Sequence, residues 1–307
     1  MKMKHVLLAM LLVAFSAICH AHDDENFVAS DLFASLKEGE KAALLMVHFG
    51  TTHDDTRALT IDAVNQKAKE AFKGVEFREA WTSRIVMRRL KARGVQKQNP
   101  IEALEQLKAD GYTHILVQST NIIEGAEMES LRKDIASMQK HFKEIRVGNP
   151  LLYSPEDYET VIASISGNNH KEMATLLVGH GTYTPATAQY AMLDYMLKEK
   201  GFGNFFVGTI EGYPTFDTAE AQIKTQKYKK ILLMPFMFVA GDHAKNDIAG
   251  EWKEALEKKG YQVDVHMEGL GQNPGVQQLF IDHLRFISTH KAIDITAKKR
   301  AYAVAKD

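Results

Sequence analysis

The chain says nearly the same thing twice. Leu44-Leu45-Met46-Val47-His48-Phe49-Gly50-Thr51 is echoed by Leu176-Leu177-Val178-Gly179-His180-Gly181-Thr182, and the run from His114 to Gly125 by the run from Lys230 to Gly241. Each copy is an apolar stretch of strand length that ends in a glycine-containing turn and leads into a polar, helix-like segment. Duplication on this scale predicts two similar lobes facing each other across a ligand-sized cleft. Alternation of strand and helix predicts an α/β fold in which each lobe is a parallel sheet flanked by helices. Ligands of such sheets lie beyond the carboxyl ends of the strands. That rule singles out the loops at 48–57, 80–84, 119–128, 180–186, 211–216 and 236–247.

The element pattern fills in around this repeat. In the first lobe strands are expected at 43–47, 75–80, 114–118 and 145–148. Helices are expected from the 48–57 turn to about 72, over 82–93, from Asn99-Pro100 to Asp110-Gly111, and over 129–142. Asp54 and Asp55 suit a helix's first turn, and Pro100 suits a first helical position. In the second lobe strands are expected at 175–178, 205–210, 230–234 and 263–267, with helices near 185–200, 218–226 and 247–259. The first lobe is thus placed at 41–152 and the second, metal-bearing lobe at 153–275. A final helix near 276–289, within a helical tail of 276–307, is free to cross back onto the first lobe.

At 307 residues there is material for two ordinary domains, and 45% apolar with 25% charged residues is the balance of a globular protein. A formal net charge of -1 gives no electrostatic case for nucleic acid or an acidic membrane surface. Residues 1–21 read as a signal peptide: a basic start through Lys4 and His5, an apolar stretch from Val6 to Ile18, and small residues Cys19 and Ala21 flanking His20. The apolar stretch is too short for a comfortable membrane span. Cleavage after Ala21 would leave no cysteine and no membrane span, and the expected location is the periplasm. Residues 22–40, opening on His22-Asp23-Asp24-Glu25, are expected to be a mobile lead-in or a short docking helix.

Three strand ends of the second lobe deliver groups with metal-ligand chemistry. His180 lies between Gly179 and Gly181, Glu211 ends the apolar run 205–210, and His243 sits in the polar turn Gly241-Asp242-His243-Ala244-Lys245. They are spaced by 31 and 32 residues, each one strand–helix unit, so all three reach one sheet edge. Two imidazoles and a carboxylate suit a divalent transition metal. A carboxylate at the end of a buried strand is costly unless it is paired, metal-bound or wet, so a structural salt bridge is the competing reading for Glu211. His48, the first-lobe counterpart of His180, is either a cleft residue or a core histidine. His53 is placed to touch an acidic ligand, and Glu127 stands where His243 stands in the other repeat. The basic helix carrying Arg84, Arg88, Arg89, Lys91 and Arg93 reads first as a solvated face. Its functional version has Arg84 and Arg88 meeting ligand carboxylates.

Taken in order, Phe49-Gly50-Thr51-Thr52, Ala80-Trp81-Thr82-Ser83, Gln118-Ser119 through Gly125, Gly179-His180-Gly181, Glu211-Gly212-Tyr213-Pro214, Val239 through Asp247 and Gly269-Leu270-Gly271-Gln272-Asn273-Pro274 resemble the anaerobic cobaltochelatases of vitamin B12 synthesis. The resemblance runs from residue 41 to about 290. It implies two chelatase-type α/β lobes and insertion of Co²⁺, with Fe²⁺ as a further metal, into sirohydrochlorin. It assigns metal binding and proton acceptance to His180, Glu211 and His243; Arg84, His53 and Asn121 are the candidates for the macrocycle pocket. Asn121 departs from the pattern, because relatives often carry histidine there.

Metallation removes two N–H protons from the macrocycle while a dication reaches its nitrogens, work for which histidine and carboxylate are suited. Export leaves a second class open: a periplasmic carrier of a tetrapyrrole, haem or metal on the same fold, alone or as a homo-oligomer. A metal-dependent hydrolase is disfavoured, since the chain has no H-E-x-x-H motif.

Overall fold

The apolar runs that open each repeat are buried strands with helices on both sides. A computed structural model describes residues 26–304 apart from Asn168 and His243. The first sheet contains β2 (Ala42–His48), β3 (Glu76–Trp81), β4 (His114–Ser119) and β5 (Glu144–Val147), in the order β3-β2-β4-β5. The second contains β6 (Ala174–Gly181), β7 (Phe205–Glu211), β8 (Lys230–Pro235) and β9 (Gln262–Val265), in the order β7-β6-β8-β9. Every pairing in both sheets is parallel. The two orders are the same walk, so the sequence repeat is a repeat of topology.

Burial explains the composition of the strands. β4 is buried at every position and β2 at all but its first, as expected of parallel strands covered on both faces. Leu45, Val47, Ile115 and Val117 pack with Leu104, Leu107 and Leu131 from the first-lobe helices. Leu176, Val178, Ile231 and Leu233 pack with Ile223, Ile248 and Leu256 in the second lobe. Caps set the helix starts: Asn99 and Glu102 form a reciprocal capping box ahead of Pro100–Ala109, and Ser83 accepts from the Val86 N–H at 3.3 Å.

Residues 36–287 form one compact unit that holds both sheets. Its lobes are joined through a helix, Pro155–Ile165, capped by Ser154 and Asp157, which the strand–helix reading above does not include. Gln189 of the second lobe accepts from the Glu124 N–H at 2.8 Å and donates to the Leu152 carbonyl in the connection. The last long helix, Pro274–Thr289, meets the first lobe where Arg146 donates to the Ile287 carbonyl at 3.0 Å.

Two expectations are corrected. The described part of the lead-in contains a strand, β1 (Phe27–Ala29), antiparallel to β10 (His290–Ala292), and the two belong to a second, small unit. Leu32 in that unit is fully buried. Nor is the tail one helix over 276–307: β10 interrupts it, and Asp294 accepts from the Thr296 N–H to start a new helix, Ile295–Val304. Among the described residues no helix is long and apolar enough to cross a membrane. The predicted leader (1–21), His22 and His243 lie outside the described residues.

Candidate functional site

All six loops picked by the strand-end rule meet around one cavity of about 610 Å³. The first lobe contributes Phe49 through His53, Ser83, Ile85, Val86, Arg89, and Thr120 through Glu127 with the exception of Glu124. The second contributes His180 through Tyr183, Glu211, Phe236 through Val239, Gly241, Asp242, Asn246 and Asp247. Phe236, Phe238, Ile122, Ile123 and Tyr190 are buried side chains that also line it. An apolar wall with polar groups at its edges is the usual build of a small-molecule site.

His180 and Glu211 come from neighbouring strands. Gly181 and Glu211 are register partners in the β6–β7 ladder, which places the imidazole's strand end directly beside the carboxylate's. Gly181 has φ +84°, and a Cβ there would fall on the Glu211 carbonyl oxygen. A Cβ on Gly179 would run into the Tyr190 ring. The two glycines therefore let β6 pass close to β7 and to Tyr190. His180 is half-buried, and its Nδ1 lies 3.3 Å from the Gly181 carbonyl oxygen. Donation of the Nδ1–H to that carbonyl would fix the orientation of the ring at the strand end. Glu211 is exposed, so water reaches its charge at the strand end. Burial pushes the Tyr190 hydroxyl up to about 12, so it stays neutral beside the site. Among the described residues no three His, Cys, Asp or Glu side chains are grouped to hold a metal.

The turn that carries Glu211 is held from the His180 side. The Thr187 hydroxyl donates to the Tyr213 carbonyl and accepts from the Tyr213 N–H, both at 2.8 Å.

His48 resolves as a core histidine. It is buried, stacks on Phe238 at 6.2 Å, and lies between the Thr120 hydroxyl (3.0 Å) and Asn65 Oδ1 (2.9 Å). Asn65 donates onward to Glu79, which is paired with Lys97. Asn65 Oδ1 can only accept, so His48 Nε2 carries the proton and Nδ1 accepts from Thr120. Burial holds the imidazole below its ordinary value.

Of the macrocycle-pocket candidates, His53 and Asn121 line the cavity, as does Glu127, whereas Arg84 is exposed and does not. Helical geometry gives the reason. With Ser83 as the cap, Ile85, Val86 and Arg89 share the cavity face, and Arg84 and Arg88 fall a third of a turn away. Arg89 instead bonds Asp242 Oδ2 at 2.6 Å, and His53 bonds Asp242 Oδ1 at 2.9 Å. The hydrogen bond from His53, and then that from Arg89, hold the Asp242 carboxyl below its usual range.

The cobalt chelatase (CbiK) family matches residues 42–289, a span that contains both sheets and the cavity. The chain belongs to this family. It is 32% identical over 269 residues to the sirohydrochlorin cobaltochelatase of Salmonella typhimurium, covering 85% of this chain and 100% of that one. It is 31% identical over 254 residues to the sirohydrochlorin cobaltochelatase CbiKC of Nitratidesulfovibrio vulgaris, covering 80% and 89%. Among solved structures, SirB from Bacillus subtilis with Fe³⁺ superposes with a TM-score of 0.58 at 15% identity, covering 81% of this chain and 96% of that one. The cobalt complex of the sirohydrochlorin chelatase SirB from Bacillus subtilis subspecies spizizenii gives 0.55 at 14%, covering 81% and 95%. At such identities these two structures bear on the fold, and they share the two-lobed α/β family architecture.

Proposed function

We propose that the chain is a sirohydrochlorin cobaltochelatase: Co²⁺ enters the macrocycle and two pyrrole N–H protons leave, so charge balances without any redox partner. The observation that carries this is the convergence of His180 and Glu211 on the edge of an apolar cavity, in a chain of the cobalt chelatase family. The buried aromatic and aliphatic wall fits the flat macrocycle. His180 Nε2 takes the dication with Glu211 and His243, then passes it to the ring nitrogens. Imidazole or carboxylate accepts the displaced protons. Because nitrogen and oxygen ligands accept several divalent metals, Fe²⁺ is a second substrate metal of the same site.

The test is metallation of sirohydrochlorin by Co²⁺, followed by absorbance with purified protein. His180→Ala and His243→Ala should each slow it by roughly 100-fold or more, the scale of losing a positioned proton-transfer or ligand group. Wild-type turnover in both would remove the triad from the mechanism.

The leader pattern supports a periplasmic place of action, tested by fractionating cells that express the full chain. A tetrapyrrole or haem carrier on the same fold is separated from the enzyme by colour. Carrier protein retains a Soret band through gel filtration, and the enzyme emerges colourless and metallates.

A further inference from the structure

Donors from one lobe converge on a single carboxylate of the other at the edge of the cavity. Arg89 Nη1 donates to Asp242 Oδ2 at 2.6 Å, and His53 Nε2 lies 2.9 Å from Asp242 Oδ1. Lys245 Nζ lies 3.2 Å from His53 Nδ1. An ammonium group can only donate, so Nδ1 accepts and Nε2 carries the proton that Asp242 receives. Arg89, His53 and Asp242 all line the cavity.

Two N–H donors aimed at one carboxylate are the arrangement by which proteins bind carboxylate ligands. Here the carboxylate is the protein's own, and it is weakly held. The Arg89 and Asp242 side chains are 55% and 47% exposed, and exposed ion pairs contribute little net free energy. We propose that Arg89 and His53 form the subsite for a peripheral carboxylate of the tetrapyrrole, and that Asp242 fills this subsite in the empty cavity and is displaced when the macrocycle binds. The proposal rests on the chelatase reading only in naming a polycarboxylate tetrapyrrole as the ligand. It assigns cavity recognition to Arg89 in place of Arg84, and makes Asp242 an internal competitor that ligand binding must overcome.

The probe is uroporphyrin, a stable polycarboxylate tetrapyrrole, titrated by absorbance into the metal-free full chain. Asp242→Asn keeps the shape and removes the competing charge, so it should tighten binding by about 2- to 5-fold, the worth of one exposed ion pair. Arg89→Met should weaken binding by roughly 10-fold, the worth of a hydrogen bond to a charged group. In the double variant the Asp242→Asn gain should shrink, because of the two donors that it releases only His53 remains. Circular dichroism and melting temperature check that each variant folds, and Asp242→Ser gives the same reading should the asparagine variant fail. Unchanged or weaker binding by folded Asp242→Asn overturns the proposal, as does a gain undiminished by loss of Arg89. Absence of saturable uroporphyrin binding to wild type and Asp242→Asn overturns it too. Failure of the wild type to metallate sirohydrochlorin, with the uroporphyrin pattern intact, would overturn the chelatase reading alone.

Discussion

At Gly181 the backbone takes φ +84°, and a Cβ would collide with the Glu211 carbonyl oxygen. The side chain that is missing there is what lets His180 and Glu211 sit on adjacent strand ends. Gly181→Ala should therefore cost about 1–3 kcal/mol of stability, the range for an enforced left-handed non-glycine residue. It should also suppress cobalt insertion, measured by urea denaturation and by metallation rate on the same preparation. His48 makes a separate prediction. Burial keeps its imidazole below the ordinary value and therefore neutral in the folded chain, whereas in the unfolded chain it titrates near 6.5. As pH falls below about 6.5, the unfolded state takes up a proton that the folded state does not, and stability falls until the folded-state value is passed. Denaturation midpoints from pH 7.5 to 5 should show this slope, up to about 1.4 kcal/mol per pH unit from this group, and His48→Gln should remove it. The sequence offered His48 two readings, cleft or core, because strand alternation does not say which face of β2 meets Asn65 and Thr120.

Elements, more than single contacts, decide where the functional groups lie. The Glu211 turn is tied to the end of the His180 loop by the two hydrogen bonds of the Thr187 hydroxyl. Thr187→Val keeps the volume and loses both, at about 1 kcal/mol each. The expected result is a cobalt KM raised roughly 5-fold or more with the sirohydrochlorin KM unchanged, and Thr187→Ser should restore wild-type values. Equal effects on both KM values would mean general loosening rather than displacement of Glu211. A control comes from a helix cap that does not line the cavity. Asn99→Ala breaks a capping box and should lower stability by about 1 kcal/mol while leaving metallation unchanged. This helix start was legible in sequence because Asn99-Pro100 is local chemistry. So were the eight strands of the two parallel sheets, four of which, β2, β4, β6 and β8, the repeat marks out. The β1–β10 pair was not, since its partners are more than 260 residues apart and neither run is strongly apolar. Arg89 was hidden in another way: five cations crowd one helix, and only the position of the Ser83 cap decides which of them turns to the cavity.

For the molecule as a whole, the repeat assigns unlike tasks to like lobes. Both sheets have the same strand order, yet His180 and Glu211 belong to the second, while Thr51, Asn121 and Arg89 face them from the first. Duplication thus supplies two facing walls, and on the proposed reading divergence supplies ligands on one and macrocycle contacts on the other. The division predicts different thermal signatures for the two substrates. A tetrapyrrole touches both lobes, so at 100-fold above its Kd it should add about 2.7 kcal/mol and raise the melting temperature by roughly 5–10 °C. If cobalt binds the second lobe as proposed, its stabilisation should depend on His180 alone among residues varied on either wall. Scanning calorimetry of wild type, His180→Ala and Arg89→Met separates the cases. His180→Ala should lose the cobalt shift and keep the uroporphyrin shift, and Arg89→Met should keep the cobalt shift and lose about half of the uroporphyrin shift. A cobalt shift that persists in His180→Ala would place the metal elsewhere. A uroporphyrin shift lost in His180→Ala would mean that the two walls do not divide the work in this way.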